Sequence, residues 1–308
     1  GKFESAACNS TVDTTCSACT VCPADKFSAT LCGGSTDATC SACSAGCMPG
    51  EFQSAACVST SDRVCTPCSG ACPMGQYLKT ACTANADRTC KVPPSVPTNG
   101  LLVRWTLDDN KGTTAADASI NKRDGILKNS SWVTNNCKLG ACAHFTGTGG
   151  GNGSYLTYAN TMPIGGSGAS FAAWVALDKP GTGTFQTLFN GPYDSCCTMR
   201  FLIDGNLHAF WDAGMYSDQS LGSYTFPVNQ WIHVVWTIAA GGNAILYVNG
   251  ANVAQTAAGV PGTLTDLPDM DVGAADSFQW PLKALLNDVL VYNRLLSANE
   301  ITTLYQSY

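Results

Sequence analysis

The sequence predicts a mainly-β protein in two parts: a disulfide-rich repeat rod with little regular structure, then a two-sheet antiparallel sandwich. Three observations predict it. Eighteen cysteines are present, most of them within the first 90 residues and in a repeating pattern. A Pro-rich run, Lys91-Val-Pro-Pro-Ser-Val-Pro-Thr-Asn-Gly100, ends that density abruptly. Beyond it, short β-rich runs alternate with Gly and Asn turns. The clearest are Trp231-Ile-His-Val-Val-Trp236 and Ala244-Ile-Leu-Tyr-Val-Asn249-Gly250, the second ending in Asn-Gly, the strongest short hairpin signal. The expected divisions are residues 1–90 (tandem repeats of about 25 residues), 91–100 (linker) and 101–308 (sandwich).

In the first part, Phe3, Phe27, Phe52 and Tyr77 each stand five residues before a cysteine: Cys8, Cys32, Cys57 and Cys82. Each of those cysteines opens a C-x4-D-x2-C segment that closes at Cys16, Cys40, Cys65 and Cys90, with Asp13, Asp37, Asp62 and Asp87 inside. C-x2-C links follow at Cys16/Cys19, Cys40/Cys43 and Cys65/Cys68. A unit this small has no core of its own. One aromatic ring cannot offset backbone ordering of about 1–2 kcal/mol per residue. Cross-links closing loops of roughly 14–18 residues each supply about 3 kcal/mol through the unfolded state. The aspartate reads as an Asx-turn former that shapes the loop between its two cysteines.

These units resemble the cysteine-rich repeats of tumour necrosis factor receptors, in the half-module C-x2-C-x2/3-C…C-x4-D-x2-C. Cys47-Met-Pro-Gly-Glu-Phe52 and Ser-Asp-Arg-Val-Cys65 carry the match. The resemblance implies the bonds Cys19–Cys32, Cys22–Cys40, Cys43–Cys57, Cys47–Cys65, Cys68–Cys82 and Cys72–Cys90. The family's additional first disulfide module is missing. Cys8 and Cys16 are left over: either their mates lie upstream of Gly1, so that the repeat array is truncated at the N-terminus, or they bond to each other. Zinc is the rival for C-x2-C spacing, but the overlapping ladders and the lack of histidine in this region argue against it.

The Pro-rich run reads as a stiff connector. After it, Leu101-Leu-Val-Arg-Trp105 alternates as a strand, Asp108 to Gly112 turns, Gly140 to Phe145 is another strand, and Phe201 to Trp211 is a hairpin on Asp204-Gly205. Phe171-Ala-Ala-Trp174 and Val289-Leu-Val-Tyr292 add further strands. One helix is expected from Ser297 to Tyr305, opened by a capping box of Ser297 and Glu300.

Trp231-Ile-His-Val, Leu246-Tyr-Val-Asn-Gly250, Val272-Gly-Ala and Asp288-Val-Leu-Val-Tyr-Asn-Arg-Leu-Leu-Ser-Ala-Asn-Glu-Ile301 stand in the order of laminin-G-like jelly rolls. Residues 101–308 resemble that family, part of the concanavalin-like lectin and glucanase group. In Trp280-Pro-Leu-Lys-Ala-Leu-Leu-Asn287 the family's acidic pair is reduced to Asp288.

Enzymes share this fold, but glycoside hydrolysis needs two carboxylates facing one bond. Past residue 51 the chain has one glutamate, Glu300, which serves the helix cap. Asp269 and Asp271 fall in a Pro-containing loop. His144, His208 and His233 show no nucleophile partner or metal-ligand spacing, and His233 reads as a packed sandwich residue. The expectation is therefore a non-enzyme that requires no cofactor. Calcium is more open: Asp117, Ser119, Asn121 and Asp124 place oxygens at loop spacing, and the resemblance adds Asp288; an ordinary Asx-rich turn is the plainer account. The late cysteines pair as Cys137–Cys142 with a vicinal Cys196–Cys197, or as two links between their loops. A vicinal ring beside Tyr193, Trp211 and Tyr216 would make a glycan platform; core and loop packing is the plainer account.

Net charge is −6 and charged residues are 12% of the chain, with no basic cluster to displace counterions, which argues against nucleic acid. No apolar run reaches the roughly 18 residues that a membrane span needs. Cysteine density and the sequons at Asn9, Asn129 and Asn152 imply an extracellular or cell-surface glycoprotein whose leader was removed or lies upstream. The first functional expectation is a self-assembling subunit of a glycosylated fibre, coat or matrix, its partner itself. The alternative is a lectin-like adhesion protein binding extracellular glycans through the sandwich. A cytokine-type receptor ectodomain follows.

Overall fold

The computed structural model describes the chain apart from residues 8–12, 74–75, 93, 148–152, 179–184, 192–198, 204–206, 213–215, 221–223, 256–259, 261 and 275–279. It divides into two compact units, Gly1–Pro93 and Pro94–Tyr308. The first is a series of antiparallel hairpins: β1 (Lys2–Ala6) with β2 (Thr15–Ala18), β3 (Lys26–Thr30) with β4 (Thr39–Ala42), β5 (Glu51–Ala55) with β6 (Val64–Pro67), and β7 (Tyr77–Thr80) with β8 (Thr89–Lys91). Backbone bonds tie each hairpin to the turn of the next. The Glu4 amide donates to the Gly34 carbonyl at 2.7 Å, Ser28 to Ser59 at 2.9 Å, and Gln53 to Ala84 at 2.9 Å.

Disulfides join Cys19 to Cys32, Cys22 to Cys40, Cys43 to Cys57, Cys47 to Cys65, Cys68 to Cys82 and Cys72 to Cys90. Cys16 is an exposed thiol, and Cys8 lies outside the described residues. Cross-links stand in for a core here: of the apolar residues in this unit, Cys22 alone is buried among those described.

The repeat aspartates do more than the expected Asx turn. Asp37 accepts the next amide, Ala38, but it also accepts both the amide (2.8 Å) and the hydroxyl (2.6 Å) of Thr20. Asp62 takes the same two donors from Ser44, and Asp87 from Ser69. Those hydroxyls, first among several bonds, hold the three carboxyls below the usual aspartate range. Each acid therefore clasps the link that leads into its own repeat, a long-range contact that local turn chemistry does not reveal.

The second unit is a two-sheet sandwich. Its strands are β9 (Leu101–Trp105), β10 (Thr114–Ala115), β11 (Gly125–Lys128), β12 (Ser131–Val133), β13 (Cys142–Thr146), β14 (Tyr155–Tyr158), β15 (Gly168–Leu177) and β16 (Gln186–Asn190). Then come β17 (Met199–Ile203), β18 (Leu207–Asp212), β19 (Tyr216–Ser220), β20 (Ile232–Ala239), β21 (Ala244–Val248), β22 (Ala251–Gln255), β23 (Met270–Val272) and β24 (Lys283–Tyr292). One sheet runs β10-β11-β14-β23-β16-β17-β18-β19; the other runs β12-β13-β24-β15-β20-β21-β22, with β9 also on β24. Every strand ladder among the described residues is antiparallel, and the Asn249-Gly250 turn between β21 and β22 has both φ angles positive (51° and 83°), the backbone that a tight hairpin demands.

Alternation builds the core. Phe171, Ala173 and Val175 of β15 and Val234 and Trp236 of β20 face Leu127, Leu156, Phe189 and Val272 of the other sheet. The Phe171 and Phe189 rings meet at 5.5 Å. Gly273 (φ 95°) lets the chain pass Phe145, whose ring would lie 2.8 Å from any added Cβ. A bulge at Asp288 and Val289, opposite Ala173, shifts the phase of β24, so both Leu286 and Val289 point inward.

All ten residues of β15 are buried, because the second sheet is covered on its outer side as well. The helix α1 (Ala298–Gln306) lays Ile301 and Leu304 on Ala172, Val235, Tyr247, Leu290 and Tyr292. Both halves of its capping box are present. The expected connector is in large part absorbed by this unit. Arg104 donates to the Pro94 carbonyl (3.1 Å), Val96 packs beside α1, and Arg294 donates to the Asn99 carbonyl (2.7 Å).

Candidate functional site

A sandwich offers two outer faces, and α1 closes one. On the first sheet, register aligns a row across four strands: Ile126 opposite Thr157, Thr157 opposite Asp271, and Asp271 opposite Asn190. Their inward neighbours Leu127, Leu156, Val272 and Phe189 are core residues, so this row faces outward. Ile126 is 45% exposed, Thr157 and Asp271 are half-buried, and Asn190 is buried. The backbone ladder continues the row through Arg200, Phe210 and Asp218. Tyr155 stands two residues from Thr157 on the same side, opposite Lys128. Burial, then the charge of Asp271, raises its phenol above the ordinary range. A tyrosine ring beside a carboxylate, a hydroxyl and an amide suits a hydroxyl-rich ligand with one apolar face.

The expected calcium set is hydrogen-bonded within its own loop and to neighbouring backbone and side chains. Asp117 accepts the Arg104 amide (2.9 Å) and the Ser119 amide (2.8 Å) on one oxygen, and the Ser119 hydroxyl (2.7 Å) and the Arg123 amide (2.8 Å) on the other. Asp124 accepts the Asp117 amide, and Asn121 donates to the Leu101 and Leu102 carbonyls. Asp288 is fully buried in a two-bond pair with Arg104, at 2.7 and 2.9 Å. With the Asp117 and Asp288 oxygens turned to N–H and O–H donors, this cluster braces a loop and a bulge. The acids gathered beside them are Asp108, Asp109 and Asp124; burial raises the Asp109 carboxyl, and the other two add to this against the Ala116 amide. Elsewhere, Cys19/Cys32/Asp37, Cys43/Cys57/Asp62 and Cys68/Cys82/Asp87 converge, but their sulfurs are spent in disulfides.

Cys137 and Cys142 are bonded to each other; Tyr193, Cys196 and Cys197 lie outside the described residues. Trp211 pairs with Ser217 and Tyr216 with Asp212, so the two aromatic residues are offset by one register step instead of forming a pair. Asn129 is exposed at a turn (φ 48°), while Asn9 and Asn152 lie outside the description. His144 meets Asp178 at 2.8 Å, His208 sits in β18, and His233 is fully buried. Glu300 is held by Arg294 (2.6 Å) and Ser297. Asp271, expected in a Pro-containing loop, lies on β23. Tyr155, Thr157 and Asn190 were not singled out by sequence, because no local motif marks them; cross-strand register alone unites them.

Residues 64–90 match the TNFR/NGFR cysteine-rich region. Among curated proteins none matches the chain significantly. Among solved structures, domain 4 of AbnA, a GH43 extracellular arabinanase from Geobacillus stearothermophilus in complex with arabinotriose, is 18% identical with a TM-score of 0.54, covering 68% of this chain and 100% of that one. The binding domain of Paraclostridial Mosquitocidal Protein 1 is 16% identical (TM-score 0.54), covering 68% and 52%. The binding domain of Botulinum neurotoxin DC in complex with SialylT is 13% identical (TM-score 0.53), again covering 68% and 52%. The chain thus spans about half the length of these toxin domains, and identities this low show the fold alone. Residues 149–302, half of the sequence, match the concanavalin A-like lectin/glucanases superfamily, and the chain belongs to that superfamily.

Proposed function

We propose that this is an extracellular, lectin-like protein whose sandwich binds glycan on the outer face of the first sheet, with the cysteine-rich repeats as its spacer. The observation that carries the reading is the asymmetry of the sandwich. One outer face is sealed by α1, while the other carries Tyr155, Thr157, Asn190 and Asp271 in adjoining positions. Arabinotriose and SialylT in the similar structures support a saccharide as ligand. The disulfides support an oxidising compartment, and no helix among the described residues is long and apolar enough to cross a membrane. The role is binding and not hydrolysis: Glu300 is committed to the helix cap, and Asp271 stands on the face among Thr157, Asn190 and Tyr155.

The self-assembling subunit expected first from sequence gives way to its alternative, because superfamily membership and the polar face both favour a ligand. A glycan array probed with the full chain, with and without chelator, tests the reading. Retention on defined oligosaccharides, unchanged by chelator and weakened about tenfold by Tyr155→Ala or Asp271→Ala (about 1.4 kcal/mol), is expected. Filaments in electron microscopy, with no array signal, would return the fibre.

A further inference from the structure

The covered face of the second sheet carries an aromatic group that neither the fold nor the glycan face explains. Trp174 on β15 and His233 on β20 are cross-strand partners, their rings 5.1 Å apart. Tyr305 on α1 and Tyr308 beyond it close over them, at 5.7 and 5.2 Å from Trp174 and 6.2 Å from His233. His233 is 0% exposed and Trp174 2%. Both His233 ring nitrogens, Trp174 Nε1 and Tyr308 Oη are buried without a protein hydrogen-bond partner. The Lys138 ammonium, 3.7 Å from the Trp174 ring centre, is the charged side chain that acts on His233, and it has the same sign as an imidazolium. A neutral ring is tolerated in such a cage. A charged one has two donors that meet no acceptor in the closed geometry, and a cation nearby.

We infer that His233 is an acid-sensitive latch: proton uptake by its ring releases the last turn of α1 and Tyr308 from the sheet and uncovers Trp174, while the start of the helix stays docked. Burial first, and Lys138 second, hold the His233 ring down to about 3 in the closed state. Once open, the ring titrates near its ordinary value of about 6.5. Because the closed form binds the proton less well, closure is fully favoured above about pH 6.5. It weakens about tenfold per pH unit below that, down to about pH 3. The helix start does not share this sensitivity. Arg294 first, with Ser297, holds the Glu300 carboxyl down to about 2, so the cap keeps its charge through the whole window.

Hydrogen exchange on the full chain between pH 7 and pH 4, corrected for the intrinsic pH dependence of exchange, tests the latch. Expected is about a fiftyfold loss of protection at residues 304–308 between pH 6.5 and 4.5, with β20 and β21 unchanged. His233→Phe should make that profile flat. Equal pH dependence in His233→Phe, or uniform loss across the sandwich, overturns the latch. Should His233→Phe fail to fold, the native ring decides by NMR. A ring that gains its proton only as 304–308 lose protection supports the inference; one that titrates near pH 6.5 with protection intact overturns it.

Discussion

At the scale of single residues, Arg104 and Asp288 decide how the linker, the bulge in β24 and the loop at Asp117 fit together. Their pair is buried, and Arg104 also reaches the Pro94 carbonyl while its amide feeds Asp117. Burial pushes the Asp288 carboxyl up, and Arg104 opposes this. Arg104→Met leaves a carboxylate buried without its cation and is expected to destabilise the sandwich by about 3–5 kcal/mol, read from denaturant melts. Replacing both partners by apolar residues of similar volume should recover most of that loss. The oxygens at 117, 119, 121, 124 and 288 were legible as a polar cluster in the sequence. Their employment was not, because a spacing of oxygens is the same whether a cation or a set of amides completes it. Chelator should leave the melting temperature unchanged.

Single elements were legible wherever chemistry is local. The Asn249-Gly250 turn and the capping box at Ser297 and Glu300 stand where residue type predicts them, since each depends on contacts a few residues apart. Ser297→Ala is expected to destabilise α1 by about 1 kcal/mol, measured as faster exchange in its first turn. Glu300, whose carboxyl is held down to about 2, contributes fully above its ordinary value of 4.5, and that contribution declines as pH falls below 4.5 and is gone by about 2. The candidate face was not legible. Thr157, Asp271 and Asn190 meet through ladders between β14, β23 and β16, strands far apart in sequence, and nothing local fixes which residue opposes which. The repeat aspartates show the same limit at shorter range, reaching a hydroxyl in the preceding link.

For the whole molecule, the two units rest on different physics. The first holds its hairpins by disulfides and carboxylate clasps; the second holds its strands by a large apolar core. Reductant should therefore unfold Gly1–Pro93 and leave Pro94–Tyr308 folded, seen as protease cleavage confined to the repeats. The division into a cross-linked part and a sandwich was visible in cysteine density and strand pattern, because both are properties of composition and period. Chemical-shift mapping of the full chain with an array-selected oligosaccharide decides whether the outer face of the first sheet binds glycan. Perturbations are expected at Ile126, Tyr155, Thr157, Asn190 and Asp271, lost in Asp271→Ala. Shifts centred on the Asp117–Asp124 loop or on the repeats, with that row silent, would contradict glycan binding on this face.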